Sequence, residues 1–100
     1  MLNIEKNKEG SKFEIKLSGA LDSATSADLD EVVKNELEGV EELTFDIADL
    51  EYVSSAGLRV FLSAQKTMNK QGDMVVKHVP DSIMDILEVT GFMEILTIEE

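Results

Sequence analysis

The sequence predicts an α/β fold: a mixed, mostly parallel sheet, helices packed mainly on one face, in the order ββαβαβαβ. Three observations predict it. Two alternating apolar–polar stretches stand side by side at the start, parted only by the polar stretch NKEGS. After them, helical and strand patterns take turns, and strands joined through a helix run parallel by right-handed crossovers. The strands alternate rather than running wholly apolar, which means one buried face and one wet face.

Each element follows from its own spacing. Leu2 and Ile4 begin a short alternation. In KFEIKLS, Phe13, Ile15 and Leu17 fall on one side and Lys12, Glu14 and Lys16 on the other, so the pair reads as an antiparallel hairpin. In LDSATSADLDEVVKNELEG, Leu29, Val32, Val33 and Leu37 share one helical face. Asp22, Ser23 and Ser26 are its candidate N-caps, and Gly39 its candidate C-cap. EELTFDIADL alternates again, with Leu43, Phe45 and Ile47 on the buried side. YVSSAGLRVFLSAQKTMNKQG carries a second helix. Its apolar stripe is Leu58, Phe61, Leu62 and Met68; its polar one is Arg59, Ser63, Lys66 and Lys70; Gly72 closes it. DMVVKHV is the fourth strand. Pro80 and Asp81 open a third helix, with Ile83, Ile86 and Leu87 inward and Gly91 at its end. FMEILTI is a short last strand or a packed tail.

Composition narrows the function. The 100 residues suit one domain, residues 1–100, and a chain this size buries roughly 60–70% of its unfolded surface. A large internal cofactor cavity does not fit in such a core. Nine basic against 21 acidic residues give a net charge of −12. That charge repels phosphate backbones and anionic lipid, and it disfavours direct nucleic-acid binding. With no cysteine there are no disulfides, thiol nucleophiles or cysteine zinc sites. No apolar run spans a membrane and no signal-peptide core opens the chain, so a cytoplasmic location is expected.

Few residues are placed to do chemistry. No glycine-rich phosphate loop is present, and one histidine, His78, supports no metal cluster by itself. Asp46, Asp49 and Glu51 bracket the end of the third strand. Carboxylates are the groups that hold magnesium or move protons, but an exposed strand face in an acidic chain is the simpler reading. The serine pair is more informative. Ser54 and Ser55 lie between a strand end and a helix start, where loops of parallel sheets carry sites. One hydroxyl caps the helix; only one residue can. The second is left at the surface. A phosphate there adds about −1.5 to −2 charges to a contact patch, while the helix start tolerates it. Ala56 and Gly57, with little or no side chain, would let another protein's active site come close.

YVSSAGLRVFL resembles the signature of STAS domains, the bacterial anti-sigma factor antagonists, and the resemblance covers nearly the whole chain. IKLSGALDSATSADL is similar to the family's second strand, turn and first helix. LTFDIADLEYVSSAGL is similar to its central strand and phosphorylation loop, and VTGFMEILTI to its closing segment. The resemblance implies a STAS-type domain that is a substrate and not an enzyme, with no catalytic residue, cofactor or metal. Unphosphorylated, it would bind an anti-sigma factor that is also a serine kinase of the GHKL type, and so free a sigma factor. A metal-dependent serine phosphatase would restore the phosphorylated form. The family's acceptor maps onto Ser55 and its turn aspartate onto Asp22. Ser23, Ser54, Ala56, Gly57 and Leu58 complete the implied partner surface. The best-known members carry Asp just before the acceptor; here Ser54 stands in that place and is the second choice of acceptor. Another branch of the family, lacking phosphorylation, serves as a small subunit of lipid-transport machines, docking through the same loop onto an ATPase subunit. A monomer or a weak dimer is expected.

Overall fold

The computed structural model describes residues 1–99. Strands β1 (Leu2–Glu9) and β2 (Lys12–Leu21) form the hairpin. Then come α1 (Ser26–Glu36), β3 (Glu42–Val53), α2 (Ser55–Met68), β4 (Asp73–Lys77), α3 (Asp81–Thr90) and β5 (Ile98–Glu99), with a single 3-10 turn at Phe92–Glu94 before the last strand. The sheet order is β1-β2-β3-β4-β5, the same as the chain order. β1 runs antiparallel to β2, and the other neighbours are parallel. Every crossover therefore steps in one direction. Right-handed connections that all step one way leave their helices on one side of the sheet.

The core fills the space between the layers. Phe13, Ile15 and Leu17 of β2, Leu43, Phe45 and Ile47 of β3, and Met74 and Val76 of β4 point into it. Leu29 and Val33 of α1, Leu58, Phe61, Ala64 and Met68 of α2, and Ile83 and Leu87 of α3 meet them in one cluster. The Phe45 and Phe61 rings meet edge to face, with centroids 5.0 Å apart at 84°, a geometry that contributes about 1 kcal/mol beyond burial. The opposite face of the sheet is polar. Lys77 of β4 pairs there with Glu14 of β2 at 3.1 Å. On the hairpin's helix-facing side, Lys6 Nζ lies 2.8 Å from Glu36 Oε2. Lys8 Nζ donates to the Glu36 carbonyl and sits 4.6 Å from the centre of the Phe13 ring. Their stems thus cover the core edge while their charges meet the carboxyl end of α1.

Several boundaries differ from the sequence expectation. β3 does not end near Asp49; it continues to Val53. Its register against β2 shifts twice, between Lys16 and Ser18 and again between Gly19 and Ala20. Two extra residues of β3 are bulged out, so its buried positions jump from Ile47 to Leu50 and then Val53. Plain alternation cannot show this. β4 stops at Lys77. His78 lies beyond it in a left-handed conformation, φ 58°. α1 starts one turn later than Asp22 and Ser23 suggested, and its cap is Leu37, with Gly39 two residues further on in a positive-φ turn. α2 ends at Met68 with Asn69 as its cap, and Gly72 lies four residues beyond Met68; the Gly72 N–H still donates to the Met68 carbonyl. Gly91 is the C-cap of α3 as expected, at φ 81°.

Candidate functional site

The carboxyl ends of β2 and β3 lie side by side, Leu21 opposite Val53. Each strand leads straight into a turn that starts a helix. Those two turns form the candidate site.

The second turn is held by Ser54. Its backbone is extended, φ −91° and ψ 173°, the usual N-cap conformation. Its N–H donates to the Leu21 carbonyl at 2.8 Å, and its carbonyl accepts from Leu58 N–H at 2.9 Å. Its Oγ accepts from Gly57 N–H at 3.2 Å. The N–H, the carbonyl and the hydroxyl oxygen of Ser54 are thus all engaged by the fold. Ser55 is the first helical residue and is exposed. Its hydroxyl has no hydrogen-bond partner among the described residues. The two serines divide the work: one builds the helix start, and the other presents a hydroxyl to solvent.

Gly57 has an internal reason. It is buried, and a Cβ there would lie 2.7 Å from Leu21 Cγ and 2.9 Å from Val53 Cγ2. The missing side chain lets α2 sit against the ends of β2 and β3, a packing role that stands beside the sequence expectation of room for another protein. Leu58 also points inward and is 4% exposed. Ala56 is half-buried beside them.

The first turn is organised by Asp22. Its Oδ1 accepts from Ala24 N–H at 3.0 Å and Thr25 N–H at 2.9 Å. The Thr25 hydroxyl accepts from Asp22 N–H at 2.9 Å and lies 2.8 Å from the Ala20 carbonyl and 3.0 Å from Asp22 Oδ1. The Thr25 N–H bond, the Thr25 hydroxyl and, to a lesser extent, the Ala24 N–H hold the Asp22 carboxyl below its ordinary value against the opposing effect of burial. Ser23 is exposed, and its carbonyl accepts from the buried Ser26 hydroxyl. Thr25 was not singled out in the sequence. The turn's sequence contained the signal, a threonine three residues after an aspartate, which is the spacing of reciprocal side-chain and backbone capping.

The acidic cluster of β3 does not converge. Asp46 Oδ1 accepts from Ala48 N–H at 3.2 Å and lies 3.1 Å from His78 Nδ1. Burial pushes the Asp46 carboxyl up, but Ala48 N–H, His78 and Lys77 outweigh it and leave it lowered. Asp49 borders one hollow with Asp46, Lys16 and Ser18 and, with Glu51, a wide-open one of about 820 Å³ lined also by Asn3, Ser18 and Pro80. Among the described residues, no three histidine or carboxylate side chains are grouped to hold a metal ion. No helix among them is long and apolar enough to cross a membrane.

Comparison with known proteins covers the whole arrangement. Residues 4–97 match the family model described as "Mlab, STAS domain". The anti-sigma-B factor antagonist of Staphylococcus aureus (strain NCTC 8325 / PS 47) is 28% identical over 101 residues, covering 99% of this chain and 94% of that protein. An anti-sigma factor antagonist from Mycobacterium paratuberculosis superposes with a TM-score of 0.87 at 15% identity, over 98% of this chain and 85% of the other. The anti-sigma factor antagonist SpoIIAA in its unphosphorylated form superposes with a TM-score of 0.82 at 12% identity, over 98% of this chain and 89% of the other. At these identities the two structural likenesses speak for the fold.

Proposed function

Because the chain belongs to the STAS domain family, we propose that it is an anti-sigma factor antagonist controlled at Ser55. In its unmodified form it binds an anti-sigma factor, which thereby releases its sigma factor. The anti-sigma factor is also the kinase. The Ser55 oxygen attacks the γ-phosphorus of a nucleoside triphosphate and the new O–P bond forms. The bond to the β,γ-bridging oxygen breaks, the nucleoside diphosphate leaves, and the hydroxyl proton passes to a base of the kinase. A phosphatase reverses the mark by delivering water to phosphorus, which yields inorganic phosphate and the free hydroxyl.

One observation carries this reading: Ser54 is consumed by capping, and Ser55 beside it is exposed with an uncommitted hydroxyl. Modifying Ser55 disturbs no bond of the fold and places about −1.5 to −2 charges on the rim. The test separates the serines. Ser55→Ala should leave stability within about 0.5 kcal/mol of the parent and abolish the mass increase of one phosphate after incubation with an anti-sigma factor kinase and ATP. Ser54→Ala should cost about 1 kcal/mol through the lost cap and still take the phosphate. Phosphate uptake by Ser55→Ala that vanishes in Ser54→Ala would reverse the assignment. On this reading Asp22, Ser23, Ser54 and Ala56 border the contact, and Gly57 and Leu58 set its shape from beneath.

A second reading is favoured by the type of the matching family model, Mlab. It makes the chain a permanently unmodified subunit docked on an ATPase subunit of a lipid-transport assembly. It predicts stable co-purification with that subunit and no phosphoserine at residue 55 in cells.

A further inference from the structure

Arg59 is the one arginine in a chain with 21 acidic residues. It is exposed on α2, four residues after Ser55. Among the described residues no carboxylate forms an ion pair with it, whereas Lys6, Lys12, Lys34 and Lys77 all have acidic partners. Lys16, Lys66 and Lys70 are unpaired too, so lack of a partner does not single it out. Position does. Residues four apart on a helix are neighbours, with Cβ atoms about 6 Å apart, and the order negative then positive is the favourable one. The two turns of the site offer no other basic residue: residues 20–26 and 52–58 contain neither lysine nor arginine. The guanidinium fork matches phosphate oxygens in a way that a lysine ammonium does not.

We propose that Arg59 is the internal counter-ion of a phosphate on Ser55. The inference rests on the Ser55 reading above. In the unmodified protein, Arg59 is an unpaired cation beside a rim whose two turns carry one carboxylate, Asp22, and it is available to a carboxylate of the partner. Once Ser55 carries phosphate, Arg59 turns to it. Modification thus changes the rim twice: it adds negative charge, and it withdraws the cation. The pairing also shields the phosphate inside the protein's own surface, so the marked state is a defined structure and not merely a repelled one.

The experiment bypasses the kinase. Phosphoserine is installed at residue 55 during synthesis, in the parent and in the Arg59→Gln and Arg59→Lys variants, and the phosphorus resonance is followed by NMR from pH 4 to 8. A neighbouring cation favours the dianion, so the second phosphate pKa, ordinarily about 6, should be lower in the parent than in Arg59→Gln by about half a unit. Arg59→Lys should fall between them. The guanidinium Nε–H resonance of Arg59 should move on phosphorylation and return in high salt. Identical phosphate titrations in the parent and Arg59→Gln, with an unmoved guanidinium signal, would overturn the proposal. Because the phosphate is built in, that failure is distinct from failure of the Ser55 reading, which would show as no uptake from kinase and ATP by the ordinary protein.

Discussion

A single carboxylate shapes the turn beside the serines. Asp22 binds two backbone N–H groups and touches the Thr25 hydroxyl, and its pKa is lowered as a result. A group with a depressed folded pKa contributes stability above its unfolded pKa and loses that contribution as pH falls through the folded value. The window lies below the ordinary carboxylate value of 3.8. Asp22→Asn keeps an acceptor oxygen but cannot titrate. Urea unfolding at a series of pH values should show the variant less stable than the parent at pH 7 and losing less stability as pH drops below 4. Parallel pH profiles would mean that the charge of Asp22 contributes nothing to the turn. Asp22 and both serines were legible in the sequence as candidates, because short polar residues before an apolar helical pattern announce a cap. Which serine caps was not legible. That depends on a hydrogen bond to Gly57 whose geometry is set by the Leu21–Val53 pairing, far away in sequence.

At the scale of elements, α2 is positioned by contact of its first turn with two strand ends. Gly57→Ala would drive a methyl carbon to within 3 Å of Leu21 and Val53 side chains that are themselves buried. Overpacking of this kind costs about 1–3 kcal/mol. The expected result is a lower urea midpoint with an unchanged m-value, together with weaker partner binding, since the helix start must lift. A midpoint equal to the parent's would show that the strand ends yield freely. The sequence suggested a reason for Gly57 that looks outward; the structure adds one that looks inward. Local patterns identify a glycine but do not show which neighbour needs the space. The same limit applies to β3. Its first half was legible from strict alternation, while Leu50 and Val53 obey the partner strand's register and break the pattern.

For the whole molecule, order and layering were readable because strand and helix periods are clean and connections are short. The chain's net charge of −12 acts at this scale too. It steers a partner with a basic contact face and slows one with an acidic face. The association rate with the proposed partner, an anti-sigma factor, measured by stopped flow, should fall roughly tenfold between low salt and 0.5 M salt if such a face meets the serine rim. The dissociation rate should change little. A salt-independent association rate would place the contact on uncharged surface.

The paired bulges of β3 have a consequence for how such chains can vary. Each extra residue reverses which side of the sheet the following side chains face, and the second reversal cancels the first. Val53 therefore shares the inner side with Leu21, and Ser54 arrives in the right orientation to start α2. Losing one residue between Ala48 and Tyr52 would turn Val53 outward and carry the serine hydroxyls round with it. Losing two would restore the parity. Length changes in this stretch are compatible with a working rim only in even numbers.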